Sequence, residues 1–98
     1  MTLDDLLFDI HVLEEMLHSY ERKFNMLSCI FYEAYSEGEE PTNSDWVQDW
    51  TAWGGAYKVW LRRQQQFRGI VESLRSESQS LSQVIEKTAR RESVPVPA

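Results

Sequence analysis

WVQDWTAWGGAYKVW, residues Trp46 to Trp60, holds all four tryptophans of the chain around a Gly-Gly pair. The indoles at 46, 50, 53 and 60 fall on one stripe with Tyr57 and Phe67, in steps of three and four. That spacing gathers them on one side of an α-helix, where a strand would send alternate residues to opposite faces. A stripe of rings at helical spacing is first of all the wall of a core, and only then a platform for a ligand. Four indoles exceed what one facing helix can cover. Some of their surface is therefore expected to meet a short helix carrying Phe31, Tyr32 and Tyr35, or a partner protein, where aromatic residues serve as anchors.

The stripe extends in both directions. Downstream it runs through Gln64, Phe67, Val71, Leu74, Ser78, Leu81, Ile85 and Thr88. Gly54-Gly55 interrupts its helical chemistry, each glycine costing about 1 kcal/mol against alanine in a helix interior. These two lie off the seam, so either the helix bends there or a neighbour approaches closely. Upstream, Leu3, Leu6, Ile10, Leu13, Leu17, Tyr20, Phe24 and Leu27 alternate steps of three and four in the same way. This is the a/d pattern of a coiled-coil seam.

Local signals punctuate the two seams. Thr2 and Asp5 form a capping-box pattern. Arg22 and Lys23 suit the negative end of a helix dipole, and Asn25 suits the left-handed residue that ends it. Ser28 can open a short helix that Gly38 closes. After the loop around Pro41, Asn43 and Ser44 offer another N-cap. Helices are therefore predicted over about residues 3–24, 29–37 and 45–91.

The expected fold is all-α: an antiparallel, coiled-coil-like helical hairpin with a short helix at its turn. It makes a single helical domain over residues 1–91, followed by a disordered tail at 92–98. The helix lengths do not match. The first spans roughly 33 Å and the last roughly 70 Å at 1.5 Å per residue. A long C-terminal overhang follows, whose apolar residues Ile70, Val71, Leu74, Leu81, Val84 and Ile85 have nothing in the chain to cover them. With Trp46 and Trp50 they are the candidate partner-binding residues, because an uncovered amphipathic helix gains little stability alone.

With 98 residues the chain suffices for one small domain. Its hydrophobic fraction of 42% is that of a folded protein. Net charge is −6. Residues 1–50 carry twelve acids and two bases, whereas residues 51–98 carry four acids and eight bases. Opposite charge on the two halves implies attraction within the chain or between copies, and an acidic half repels phosphates. A lone cysteine forms no internal disulfide, and the N-terminus MTLDDLLFDI has acids where a secretory signal would have bases. A cytoplasmic, membrane-free protein is expected.

Catalytic signatures are missing from the sequence: it has no phosphate-binding glycine loop, no Ser-His-Asp set and no zinc-type Cys/His spacing. His11, Glu14, Glu15 and His18 share one helical face and are candidate metal ligands, but no second cluster completes a site, so no metal is expected. Cys29 sits beside Ile30 and Phe31 and reads as a buried structural thiol. Arg62, Arg63 and Arg68 could contact phosphates beside Trp60 and Phe67, although arginines flanking a seam more often pair with acids of a facing helix. No enzyme and no cofactor is the expectation, and a nucleic-acid partner ranks below a protein one.

Residues 21–63 resemble a known family. ERKFNMLSCIFYEAYSEGEE followed by DWVQDWTAWGGAYKVWLRR is similar to small helical antitoxins of prokaryotic two-gene toxin–antitoxin pairs. In those proteins a Lys-aromatic-Gly-Met stretch is followed by Phe-Tyr, Gly-Glu, an acidic-Trp segment and a later Tyr. Lys23, Phe24, Met26, Phe31, Tyr32, Gly38, Glu39, Asp49, Trp50 and Tyr57 occupy those places. Asn25 stands where Gly is usual, and both residues accept a left-handed backbone. The resemblance implies a protein that binds and neutralises a cognate toxin. Two other readings remain open: a self-associating coiled-coil adaptor and a nucleic-acid-binding module.

Overall fold

Thr2 opens the first helix with a reciprocal pair of hydrogen bonds. Its backbone N–H donates to Asp5 Oδ2 at 2.9 Å, and its Oγ1 accepts from the Asp5 N–H at 3.2 Å. These bonds hold the Asp5 carboxyl below the ordinary aspartate range, with the Thr2 backbone bond the largest cause and the hydroxyl bond next. The computed structural model describes residues 2–77 and 80–90. Its regular elements are helical: α1 (Leu3–Phe24), α2 (Ser28–Ser36), a 3-10 turn (Ser44–Trp46), α3 (Val47–Ser76) and α4 (Leu81–Ala89). The expected tail at 92–98 lies outside the described residues. No helix among the described residues is long and apolar enough to cross a membrane.

Helix ends follow from local chemistry. Asn25 takes the left-handed conformation at φ 53°, and the Met26 N–H reaches back to the Glu21 carbonyl at 3.2 Å. Gly38, at φ 86°, closes α2 likewise, with the Glu39 N–H on the Ala34 carbonyl and the Gly38 N–H on the Tyr35 carbonyl. Both six-to-one bonds satisfy carbonyls that a helix end leaves open. Asn43 caps the 3-10 turn by accepting from the Asp45 N–H at 2.9 Å.

The contacts gather into two compact units, one of residues up to Ile10 and from Arg62 onward, the other His11–Leu61. In the first, Leu3, Leu6 and Ile70 are buried together, with Phe67 and Leu74 packed against them. In the second, Leu17, Phe31, Trp53 and Ala56 form the buried centre, surrounded by Leu13, Tyr20, Phe24, Tyr32, Tyr35, Trp50, Tyr57 and Trp60. Along the α1 seam Leu3, Leu6, Ile10 and Leu17 are buried and Leu13, Tyr20 and Phe24 half-buried, whereas Leu27, past the end of the helix, is exposed.

The uninterrupted helix over 45–91 does not form. A 3-10 turn precedes α3, which ends at Ser76, and Ser80 opens α4 through a second capping box. Its hydroxyl accepts from the Gln83 N–H at 3.2 Å, while Gln83 Oε1 accepts from the Ser80 N–H at 2.9 Å. A break resets the helical phase, and Val84, rather than Leu81 or Ile85, becomes the buried residue of α4. Ile85, Thr88 and Ala89 line a cavity of about 300 Å³ together with Leu3, Leu7 and Phe67. Ile70 and Val84, expected to await a partner, are thus taken up inside the chain's own unit. Leu81 and Ile85 stay exposed, and Val71 and Leu74 are half-buried.

Gly54-Gly55 leaves α3 continuous. Gly54 is a point of close approach, since a Cβ there would lie 2.7 Å from Cδ1 and Cζ of Tyr35. Gly55 has nothing within 4 Å. Alanine at either position gains up to about 1 kcal/mol of helix propensity. At Gly54 that gain is opposed by overpacking of roughly 1–3 kcal/mol. Gly55→Ala is therefore expected to raise the denaturation midpoint and Gly54→Ala to lower it. Ser80→Ala is expected to cost α4 about 1 kcal/mol, measured as faster amide exchange over 81–89 without change in α1.

Candidate partner-binding site

Trp53 is the hub of the aromatic unit and is only 1% exposed. Its ring stacks on Phe31 at 3.7 Å with planes 3° apart, on Phe24 at 5.4 Å and near Tyr20 at 5.9 Å. A buried indole N–H needs an acceptor, and Trp53 Nε1 donates to Ser28 Oγ at 2.9 Å. That hydroxyl donates in turn to Glu21 Oε2 at 2.7 Å, and the same oxygen accepts from the Ser28 backbone N–H at 2.9 Å. Leu27 precedes α2 without a side-chain cap of its own. Glu21 therefore caps α2 from α1, with a carboxylate at the positive end of the α2 dipole.

On the other side of Phe31 and Trp53 lies an apolar cleft of about 450 Å³. Its walls come from the end of α1 (Lys23, Phe24), the link that follows (Met26), α2 (Ile30, Phe31, Ala34) and the tryptophan stripe (Trp46, Trp50, Trp53). Met26, Ile30 and Trp46 keep 44%, 48% and 42% of their surface exposed, so the cleft has an apolar rim. Trp46 is held edge-on to Phe24 at 5.5 Å, and Trp50 is edge-on to Phe31 at 5.3 Å. Lys23 pairs with Asp49 and lies 5.7 Å from the centre of the Phe24 ring. The buried Trp50 Nε1 has no acceptor among the described residues. Such a volume lies within the roughly 300–1,000 Å³ of cavities that take ligands or anchoring side chains.

Of the residues expected to bind a partner, Trp46 and Trp50 line this cleft, while Ile70 and Val84 are buried elsewhere. Met26 and Ile30 were not foreseen. Met26 follows a turn residue and Ile30 sits one place outside the Phe31 core position, so neither lies on a long seam. Their signal is weaker: two apolar residues left over beside positions already assigned inward.

Other candidates fall as follows. Cys29 is exposed, which corrects the buried thiol read from its apolar neighbours. A nine-residue helix buries only one side, and on α2 that side carries Ser28 and Phe31. Cys29 and His18 line a second cavity of about 170 Å³ with Glu14 and Glu21. Both carboxylates are already engaged, Glu14 accepting from Trp60 Nε1 at 3.3 Å and Glu21 from Ser28. Burial pushes the Tyr57 hydroxyl above its ordinary range, with Cys29 and Tyr32 adding to the effect. His11, Glu15 and His18 are exposed, and among the described residues no three His, Cys, Asp or Glu side chains converge to hold a metal. Arg62 and Arg68 are exposed, while Arg63 donates to Gln66 Oε1 at 2.9 Å. Phe67 is packed against Leu3, Leu6 and Ile70 rather than offered to a base.

No protein-family model, curated protein or solved structure matches this chain. Its functional reading rests on its own residues and their geometry.

Ser28 joins three helices, so removing its hydroxyl strands a buried indole donor at roughly 1–3 kcal/mol. Ser28→Ala is expected to lower unfolding free energy by that amount in urea, with the slope unchanged. Ser36→Ala, at an exposed hydroxyl on the same helix, is expected to leave it within about 0.5 kcal/mol.

Proposed function

We propose that this chain is a non-catalytic interaction protein that binds and neutralises a cognate toxin, in the manner of small helical antitoxins. The observation that carries the reading is the apolar cleft with its exposed rim of Met26, Ile30 and Trp46. A small domain that leaves an indole and two aliphatic side chains open around a cavity presents anchors for another protein. The residues that carry the family resemblance support this reading. Lys23 pairs with Asp49, Phe24, Phe31 and Trp50 line the cleft, and Tyr32 meets Tyr57 at 4.9 Å. All of them fall within His11–Leu61.

The finer architecture proposed is an antiparallel pairing of α1 with α3 in that unit. Its support is the order of contacts, since Glu14 meets Trp60 while Phe24 meets Trp53 and Lys23 pairs with Asp49. The partner surface proposed moves from the expected overhang to the cleft, because Ile70 and Val84 are already buried. Self-association through oppositely charged halves loses its basis for a related reason. The unit His11–Leu61 has nine acids and three bases, but the other has seven of each. Its arginines are matched by acids of its own, so it offers no net positive partner to a second copy.

Co-expression with the product of the adjacent gene tests the proposal. A complex that co-purifies, together with relief of growth arrest, is expected. Trp46→Ala and Ile30→Gln are each expected to weaken that complex more than tenfold while the melting temperature holds. No complex and no relief of toxicity would remove the antitoxin reading.

A further inference from the structure

Acidic residues flank the apolar rim of the cleft along the sequence. Glu33 lies three residues beyond Ile30 on α2, the spacing that makes side chains neighbours on a helix surface, and Glu37 is the residue that caps the end of that helix. Asp45 adjoins Trp46, and all three carboxylates are on exposed residues. The lysine that lines the cleft is neutralised by Asp49. Arg22 is the other cation on that stretch of α1, and it leaves the balance negative. The surrounding unit has a net charge of −6, the whole charge of the chain.

The shape of the site restricts the mode of docking. Its walls are helices and their links, and the elements among the described residues offer no sheet edge that an extended peptide could extend. An apolar groove between helices takes an amphipathic helix, whose side chains at i, i+3 or i+4, and i+7 enter it. We infer that the occupant of the cleft is a basic amphipathic helix of the partner. Its apolar stripe enters between Ile30 and Trp46, and its lysines or arginines meet Glu33, Glu37 and Asp45. This rests on the cleft being the partner-binding surface and names the chemistry of what enters it.

Four synthetic peptides of about 18 residues, long enough to be helical in isolation, test this against the full chain by tryptophan fluorescence and calorimetry. One carries a leucine stripe with lysines on the opposite face, and a second has glutamates in place of those lysines. A third scrambles the first so that no stripe remains, and the fourth is a basic proline-rich sequence. The lysine amphipath is expected to bind at least about tenfold tighter than each of the others, which is 1.4 kcal/mol or more. Binding is expected to fall as salt rises from about 50 to about 500 mM, because exposed charges are then screened. Trp46→Ala and Ile30→Gln are each expected to abolish the preference for the stripe. Glu33→Gln, Glu37→Gln and Asp45→Asn together are expected to remove most of the salt dependence and about tenfold in affinity.

Equal or tighter binding of the acidic, scrambled or proline-rich peptide would overturn the inference, as would no binding by any of them. The two levels separate cleanly. If Trp46→Ala disrupts the complex with the adjacent gene's product but no basic preference exists, only the chemistry of the occupant is wrong. If Trp46→Ala leaves that complex intact, the cleft itself is not the docking surface.

Discussion

Trp53 and the hydrogen bonds that leave it hold the aromatic unit together. The ring is covered by Phe31, Phe24 and Tyr20, and its N–H leads through Ser28 Oγ to Glu21. Glu21 serves two helices at once. Its backbone carbonyl takes the Met26 N–H that finishes α1, and its carboxylate takes the Ser28 N–H that begins α2. The three-residue link between α1 and α2 is thus tied from both sides. The tie ends on a tryptophan 25 residues further along. Truncating a buried residue of this size costs roughly 3–5 kcal/mol. That is a large part of the 5–15 kcal/mol by which domains are stable. The packing of α2 against α3, and hence the cleft on its far side, depends on that one side chain being seated.

Seating Trp53 also decides what is left over. α2 has nine residues and can turn only one side inward. Once Ser28 and Phe31 face Trp53, Ile30 must face away. The tryptophan stripe is similarly divided, with Trp53 at its centre, Trp50 half-buried and Trp46 at the end where cover runs out. Exposed apolar residues on two walls therefore converge as a consequence of burying the third. A helix as short as α2 has little stability of its own and is held by this packing.

Much of this was legible in the residues, and the boundary of what was not is physical. α1 could be read to its ends because each signal is local: a Thr-x-x-Asp box, an unbroken seam, basic residues and then Asn25. The break before α4 was hidden because Leu74, Ser78, Leu81 and Ile85 keep the period of the seam. Periodicity reports which residues are apolar at what spacing, and two separate helices can carry it along the sequence as well as one. The corrective was present in Ser80-x-x-Gln83, a capping box inside a stretch otherwise rich in serine. The tryptophans as wall of a core were legible too, as Trp53 bears out. The cleft was not, because it arises where residues 23–34 meet residues 46–53, and no local pattern encodes that pairing.

Charge shows the same difference between sequence order and folded neighbourhood. Along the chain an acidic half is followed by a basic half, which suggests attraction within the chain or between copies. In the fold, Asp4, Asp5 and Asp9 belong to the same unit as Arg62, Arg63, Arg68 and Arg75, and the unit as a whole has as many acids as bases. The compensation that a second copy would have supplied is already made inside that unit. Left uncompensated is the unit with the cleft, where nine acids meet three bases and one of the three is spent on Asp49. An apolar cavity set in a surplus of carboxylates repels acidic partners before contact and attracts basic ones over about a Debye length. Burying its rim then requires a partner whose cations lie beside its apolar residues, since a carboxylate covered without a partner costs more than the contact returns. On the proposed docking, selectivity and attraction at this surface have one origin, the partition of charge that accompanies folding.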